Sequence, residues 1–434
     1  MELSPQSQKI LDALGPELGR WSMRSKVFAI FLLILMAISG YALYEQIRYG
    51  HIVTGMRDHV VWGIYIANFI FFIGMSYAGA MVAGVLHLFK VSWRKPIMRI
   101  ALLVTISAAI IGPVYILLCM GRFDRLQNLL LYPRLQSPII WDVMAVTTYL
   151  IGAILFLYLL LIRDFAIYRD NLKLNIPDWR RKLYGKLALG YVGTSFQKRQ
   201  LRVSSNLLAL ILIPMVVVIS SVLSWIFGMT LRPGWHSTIF GPYFVVASVY
   251  TGVGAIIMGM WFFRKMYDLK EVIEEKHFVY MGVLMMILAG VYGYFTFSEY
   301  LTSWYVSEKW DAEVVEKLLN TSEYGWWFLV SNIFGIIIPI IIVAVKKLRT
   351  VNMISLAALL MIFALWIKRY LIIIPTLETP LLPVQDVRTE YSHYAATWQE
   401  WALTVGGVAT FLLIFTVISK FVAIVSVAEY DNHS

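Results

Sequence analysis

Apolar runs of roughly 20 to 30 residues, broken by short polar stretches, recur along the whole chain. They predict ten membrane-spanning helices, at about 27–47, 59–89, 97–120, 138–163, 203–229, 239–263, 277–298, 325–346, 351–374 and 401–425. The run from His59 to Phe89 organises the rest, because it holds no Asp, Glu, Lys or Arg. At ~1.5 Å per residue it would reach ~46 Å as a helix against ~30 Å of hydrocarbon, so it tilts or extends beyond the lipid core. Its polar content sets it apart. Asn68, Ser76 and Tyr77 lie inside it, and Gly74, Gly79 and Gly84 let neighbouring helices approach closely. Such groups either hydrogen-bond adjacent helices or line a small-molecule site.

The fold class expected is therefore an all-α integral membrane protein. Spans 2 to 5 and 6 to 9 form two sets of four, which predicts two four-helix bundles flanked by spans 1 and 10. The corresponding units are an amphipathic cytoplasmic segment 1–26, a first span and first bundle 27–202, a second bundle 203–400, and a last span with a short tail 401–434. In the first segment Leu11, Leu14, Leu18 and Trp21 recur at helical spacing, which suits a helix lying along the membrane surface.

Composition agrees with the pattern. The 434 residues are 59% hydrophobic and 15% charged, with a mean hydropathy of +0.71, which no soluble domain of this length shows. A single Cys, Cys119, excludes internal disulfides and four-Cys iron–sulfur clusters. The net charge of +11 raises the question of nucleic acid, but its distribution answers it: 26 of the 37 Lys and Arg fall on the side of the N-terminal segment and 11 on the other. That asymmetry predicts a membrane protein with both termini on the cytoplasmic side. The first apolar run begins near Val27 and no small-residue cleavage motif follows it, so no cleavable leader is expected.

The loops differ by side. The inner loop 163–202 carries Trp179, Arg180, Arg181, Lys182 and Lys186, which suits an anchor to anionic lipid or a docking site. The outer segments 121–137, 299–324 and 375–400 are rich in Arg, acidic residues, Tyr, Trp and Pro, including Pro380, Pro383 and Tyr391, and suit an extracytoplasmic partner.

Charges within spans are costly and are either paired or functional. Asp142 sits one turn into span 4 from the outer side, where a partly desolvated carboxyl can trade protons near neutral pH or can pair with Arg122 or Arg125. Lys368 and Arg369 lie near the outer third of span 9 and Glu299 at the outer end of span 7, so an ion pair is expected among them. His59 and His236 come nearest to a bis-histidine haem pair, but His236 falls in a loop and is better placed to exchange protons at an entrance. Neither a bound haem nor a metal site is expected.

Several ordered motifs carry a family resemblance. The run Trp62–Phe69 (WGIYIANF), the G-M-S-Y-A-G-A at 74–80 and the S-P-I-I-W-D at 137–142 resemble the NrfD/polysulfide-reductase membrane subunits. PGWHSTIFGPYF at 233–244, Ser298–Tyr300 and WIKRYLIIIP at 366–375 resemble the ten-span branch, which includes the membrane subunits of alternative complex III and of Hdr-like menaquinol-linked complexes. The resemblance implies a quinone site among spans 2 to 5 near the outer face and no redox centre in this chain. It further implies an extracytoplasmic iron–sulfur subunit as electron partner, with cytochrome or other membrane subunits in the same complex. Asn68 corresponds to a quinone-contacting Asn of the polysulfide-reductase branch, and Asp142 to the Asp of the W-D motif. Tyr77 stands where the alternative complex III branch commonly has His; a phenol is a poor proton acceptor at neutral pH, so Tyr77 is assigned to a proton route instead.

A site that oxidises menaquinol or another quinol needs hydrogen-bond partners for both ring oxygens and a proton-accepting group. Asp142 is the candidate catalytic residue; Asn68, Arg122, Trp62, Tyr65 and Trp141 are the candidate quinone contacts; Tyr77, His236, Glu299 and Arg369 are candidates for a proton route. Hydroxyls and amides in the second half, among them Ser220, Tyr250, Thr251, Tyr292 and Asn332, could hold a water wire or tie helices together. Two other classes share parts of this pattern: a secondary transporter, and a membrane anchor without ligand.

Overall fold

A computed structural model describes residues 7, 8, 11, 21–171, 174, 176–230, 232–379 and 393–430. Ten of its helices are long and apolar enough to cross a membrane: α1 Met23–Tyr49, α2 Gly63–Phe89, α3 Lys95–Met120, α4 Pro138–Asp170, α5 Ser195–Gly228, α6 Phe240–Met266, α7 Glu275–Val306, α8 Gly325–Ala344, α9 Val351–Leu377 and α10 Trp398–Phe421. Among the described residues there is no strand. The expected all-α membrane fold is what forms.

The helices run past the apolar stretches where charge or polarity marked an end in the sequence. α4 continues through Arg163 and Asp164 to Asp170, because Asp164 is fully buried and paired with Arg99, so the charge is compensated inside the bundle. α5 begins eight residues before the expected Val203, on a capping box of Thr194 and Gln197 that satisfies its first amides. α7 reaches Val306 by burying Glu299 rather than stopping at it. Two shorter helices, Asp178–Leu187 and Lys309–Leu319, occupy stretches that the apolar pattern leaves as loops.

α2 is buried along nearly its whole length and packs against α3, α5, α6, α9 and α10. Its glycines admit the neighbours: a Cβ on Gly74 would meet the Ser248 hydroxyl of α6 at 3.0 Å, and one on Gly79 would run into Ala101 and Thr105 of α3. α2 touches α6 and α9 directly, so helices assigned to the two expected sets of four pack on one another. α1 packs on α10 and turns Ile30, Phe31 and Ile34 outward. α8 contains a π-helical turn, Ile333–Ile337, where the Tyr250 hydroxyl donates to the Gly335 carbonyl at 2.6 Å.

On the face that carries Lys90, the segment after α10 closes the bundle. Asp164 accepts from Ala428 N at 2.9 Å and from the Ser426 hydroxyl at 3.2 Å, while Arg99 donates to the Ala423 carbonyl at 2.7 Å. The helix Asp178–Leu187 docks there too, with Arg180 donating to the Lys420 carbonyl at 2.9 Å and Tyr184 to that of Phe421 at 2.7 Å. Of the amphipathic N-terminal stretch, Leu11 is buried and Ser7 donates to the Val427 carbonyl at 3.0 Å; Leu14 and Leu18 lie outside the described residues, as do Pro380, Pro383 and Tyr391 of the 375–400 loop.

Candidate functional site

Inside the bundle of α2, α3 and α4 lies a buried polar group. Asp142 and Tyr149 stand seven residues apart on α4, and so share a face. The Tyr149 hydroxyl donates to the Ser76 carbonyl at 2.7 Å and lies 3.0 Å from the Ser76 hydroxyl, which in turn donates to Thr105 O at 2.8 Å. The Tyr77 ring stands edge-on to Tyr149, with centroids 5.1 Å apart. Tyr77 on α2 points back toward the start of its helix, as helical side chains do, and the Asp142 carboxyl lies within electrostatic reach of its hydroxyl. Asp142 is 4% exposed, yet its Oδ1 and the Tyr77 hydroxyl have no hydrogen-bond partner among the described residues. Two such groups buried in an apolar bundle are costly unless something else completes them.

The face that carries Trp62 is closed by aromatic rings. Trp62 stacks on Trp235, with centroids 6.0 Å apart and planes 7° from parallel, and meets Phe227 edge-on. Trp235 is held by its indole N–H to the Ile372 carbonyl at 2.8 Å. Trp141 donates to the Leu135 carbonyl at 2.6 Å and so fixes the loop that leads into α4.

The other expected quinone contacts are placed differently. Asn68 faces α9 and α10: its amide donates to the Thr404 hydroxyl at 2.8 Å, and its carbonyl accepts from the Trp366 indole at 2.8 Å. Tyr65 donates to Gln46 of α1 at 2.6 Å. Arg122 is not brought to Asp142; its exposed guanidinium holds Asp124 at 2.7 and 2.8 Å. The group around Asn68 continues into a buried latch that sequence inspection misses. Glu400 accepts from Gly55 N at 2.7 Å, from Thr397 N at 2.9 Å and from the Tyr394 hydroxyl at 2.6 Å, and that hydroxyl accepts from Ile64 N at 2.9 Å. Its only sequence signal is the capping spacing of Thr397 and Glu400.

The candidates for a proton route fall apart in the same way. Tyr77 belongs to the α2–α4 group. His236 is exposed, with its Nε2 2.8 Å from the Thr230 carbonyl, whereas His59 is buried. Glu299 is buried, and its Oε2 has no partner among the described residues. A cavity of about 30 Å³, room for a single water, joins Glu299 to Asp311, Ser303 and Thr376. The ion pair expected of Lys368 takes another form. The ammonium donates to the Tyr300 hydroxyl and lies 4.1 Å from that ring's centroid, so Glu299 acts on it only through space. Arg369 is buried with its guanidinium 5.0 Å from the Phe244 centroid, and no carboxylate among the described residues is within ion-pair distance.

The hydroxyls of the second half close mostly on their own helices: Thr251 donates to Ala247 O at 2.7 Å, and Asn332 to Phe328 O at 2.8 Å. Ser220 has a buried, unpartnered hydroxyl. Among the described residues no group of three or more His, Cys, Asp or Glu could hold a metal ion.

Comparison with known proteins places the chain. It is 24% identical over 423 residues to the Hdr-like menaquinol oxidoreductase integral membrane subunit of Archaeoglobus fulgidus, covering 93% of this chain and 94% of that one. It is 21% identical over 417 residues to a selenate reductase subunit of Mesobacillus selenatarsenatis, covering 93% and 95%. A candidate dimethyl sulfoxide reductase membrane subunit of Halobacterium salinarum is 27% identical over 247 residues, covering 57% of this chain and about half, 53%, of that protein. The family model for polysulphide reductase, NrfD, matches residues 52–380, most of the ten-helix body, and the chain is a multi-pass membrane protein of the NrfD family.

Proposed function

We propose that this chain is the quinone-reactive membrane subunit of a multi-subunit respiratory oxidoreductase, with the quinone head group bound beside Asp142. The observation that carries this is that the buried Asp142 Oδ1 and the buried Tyr77 hydroxyl, both inside α2–α4, have no hydrogen-bond partner among the described residues. A quinol hydroxyl donates to a carboxylate and a quinone carbonyl accepts from a phenol, so a head group completes both. Ile139, Met144 and Ile151 of α4 face outward, which keeps this group one helix away from the lipid that delivers an isoprenoid substrate.

Oxidation of a quinol releases two protons and two electrons. Asp142 takes the proton of one ring hydroxyl, and the proton of the other leaves by the route to which Tyr77 belongs, its phenol holding that oxygen. The electrons leave to an iron–sulfur subunit docked on the Trp62 face, and the same groups serve quinone reduction in reverse. The charge asymmetry of the loops supports placing that face outside, with N- and C-termini inside. The kinship with a subunit of a menaquinol oxidoreductase supports menaquinone as the quinone. Asn68, whose two polar groups are both taken, positions α9 and α10 against α2. Proton exchange with the Trp62 face in the other half would use the exposed His236 and the buried Glu299, which lines a cavity with room for one water.

The test is Asp142→Asn in the assembled complex. Loss of a positioned proton acceptor lowers quinol-dependent turnover by ~10²–10⁴, while the partner subunits stay bound and reduction of the iron–sulfur centre by an artificial donor is unchanged. Unaltered turnover overturns the assignment.

A further inference from the structure

A second cavity, of about 290 Å³, opens on the Lys90 face where the ends of α2, α4 and α5 meet. Five of its lining side chains are cations at neutral pH, Lys90, Arg94, Arg163, Lys198 and Arg202, against one carboxylate, Glu429. That carboxylate is already shared with Arg94, at 3.7 Å. The other acid nearby, Asp164, is taken by Arg99, Ser426 and Ala428 N. Among the described residues Lys90, Arg163 and Arg202 have no carboxylate within ion-pair distance. Lys90 also holds the left-handed conformation that ends α2, with φ 51°, where glycine would be less strained.

Positive charge concentrated around a cavity whose lining offers a single carboxylate, itself shared with Arg94, is a site for an anion. The other wall says which kind. Leu159, Leu160 and Leu201 line the cavity, and Leu155, Val203 and Leu207, 47 to 55% exposed, continue the apolar surface outward along α4 and α5. A free phosphate has no use for that surface, whereas a phospholipid lays its chains along it with its headgroup among the cations.

We propose that this cavity binds an anionic phospholipid bearing two phosphates, of cardiolipin type. One phosphate would leave most of the cationic excess unmatched. The occupant seals the gap between α2, α4 and α5 beside the segment that closes this face.

The test is native mass spectrometry of the full-length protein, titrated separately with cardiolipin, phosphatidylglycerol and inorganic phosphate. At about fivefold per cation engaged, cardiolipin binds at least about fivefold tighter than phosphatidylglycerol. The double variant Arg163→Gln, Arg202→Gln loses on the order of 25-fold in cardiolipin affinity. A second double variant, Lys346→Gln, Lys347→Gln, removes two exposed cations of the same face from another loop and leaves that affinity unchanged. Helix content by circular dichroism confirms that both variants fold. Four results overturn the proposal: equal affinity for the two lipids, equal loss in the two variants, competition by inorganic phosphate alone at comparable concentration, or retained lipid with loss of a co-purifying subunit. The last would give the cavity to an acidic protein partner instead.

Discussion

Replacing Glu400 by Ala gives the sharpest test of how the Trp62 face is held. Its carboxylate is buried and receives two backbone amides, Gly55 and Thr397, and the Tyr394 hydroxyl, all within 2.9 Å. Alanine takes the acceptor from both amides, and at ~1–3 kcal/mol for each donor left unsatisfied the latch weakens by about 4 kcal/mol. Glutamine keeps one oxygen for the amides and turns its NH₂ toward the Tyr394 hydroxyl, which still has a lone pair to accept it. That change forfeits the charge assistance and turns the Tyr394 O–H away from its acceptor, at about 1.5 kcal/mol together. Amide hydrogen exchange reads the local opening directly. Protection at Gly55, Ile64 and Thr397 falls ~10³-fold in Glu400→Ala and ~10-fold in Glu400→Gln, because ~1.4 kcal/mol is a factor of ten. If the two variants exchange alike, or if alanine costs less than tenfold, the latch does not hold this face.

Asn68→Leu strands the Trp366 indole and frees Thr404, at about 3 kcal/mol; a loss of thermal stability without quinol would mark a positioning role, and wild-type stability would refute it. Arg99→Leu leaves Asp164 buried and uncompensated, at about 3–5 kcal/mol, and the double change with Asp164→Leu recovers most of the loss in a double-mutant cycle; additive losses would contradict the pairing. Glu378, just past α9, accepts from Tyr394 N at 2.6 Å and the Tyr324 hydroxyl at 2.8 Å, and burial pushes its carboxyl above the usual range. The folded state therefore keeps this proton longer than the unfolded chain, so stability falls as pH rises from the ordinary carboxylate value through the raised one, and is flat above it. Melting of wild type and Glu378→Gln across that window should show the slope only in wild type.

The spans were legible because apolar runs are local and long enough to exceed the membrane. Asp142 and Tyr77 were legible as polar groups in such runs. Their neighbours were not, since partners are chosen by the packing of distant helices: Asn68 bonds Trp366 and Thr404, 298 and 336 positions away. The same blindness set the ends of α4 and α7 too early. A charge in sequence marks a boundary unless its counter-charge is known, and Arg99, 65 positions from Asp164, gives no local sign of being one. Arg122 misled in the opposite direction, because its partner is Asp124, two residues on.

The order of synthesis gives the clamp on the Lys90 face a temporal role. Asp164 and Arg99 leave the ribosome long before Ala423, Ser426 and Ala428, so for most of translation this acid and base lack the backbone groups that later complete them. The setting of this face, in which those contacts form, therefore waits until the tenth helix has been made. A fusion partner joined close behind Ala428 would hinder that setting step, whereas one on the Trp62 side would leave it alone.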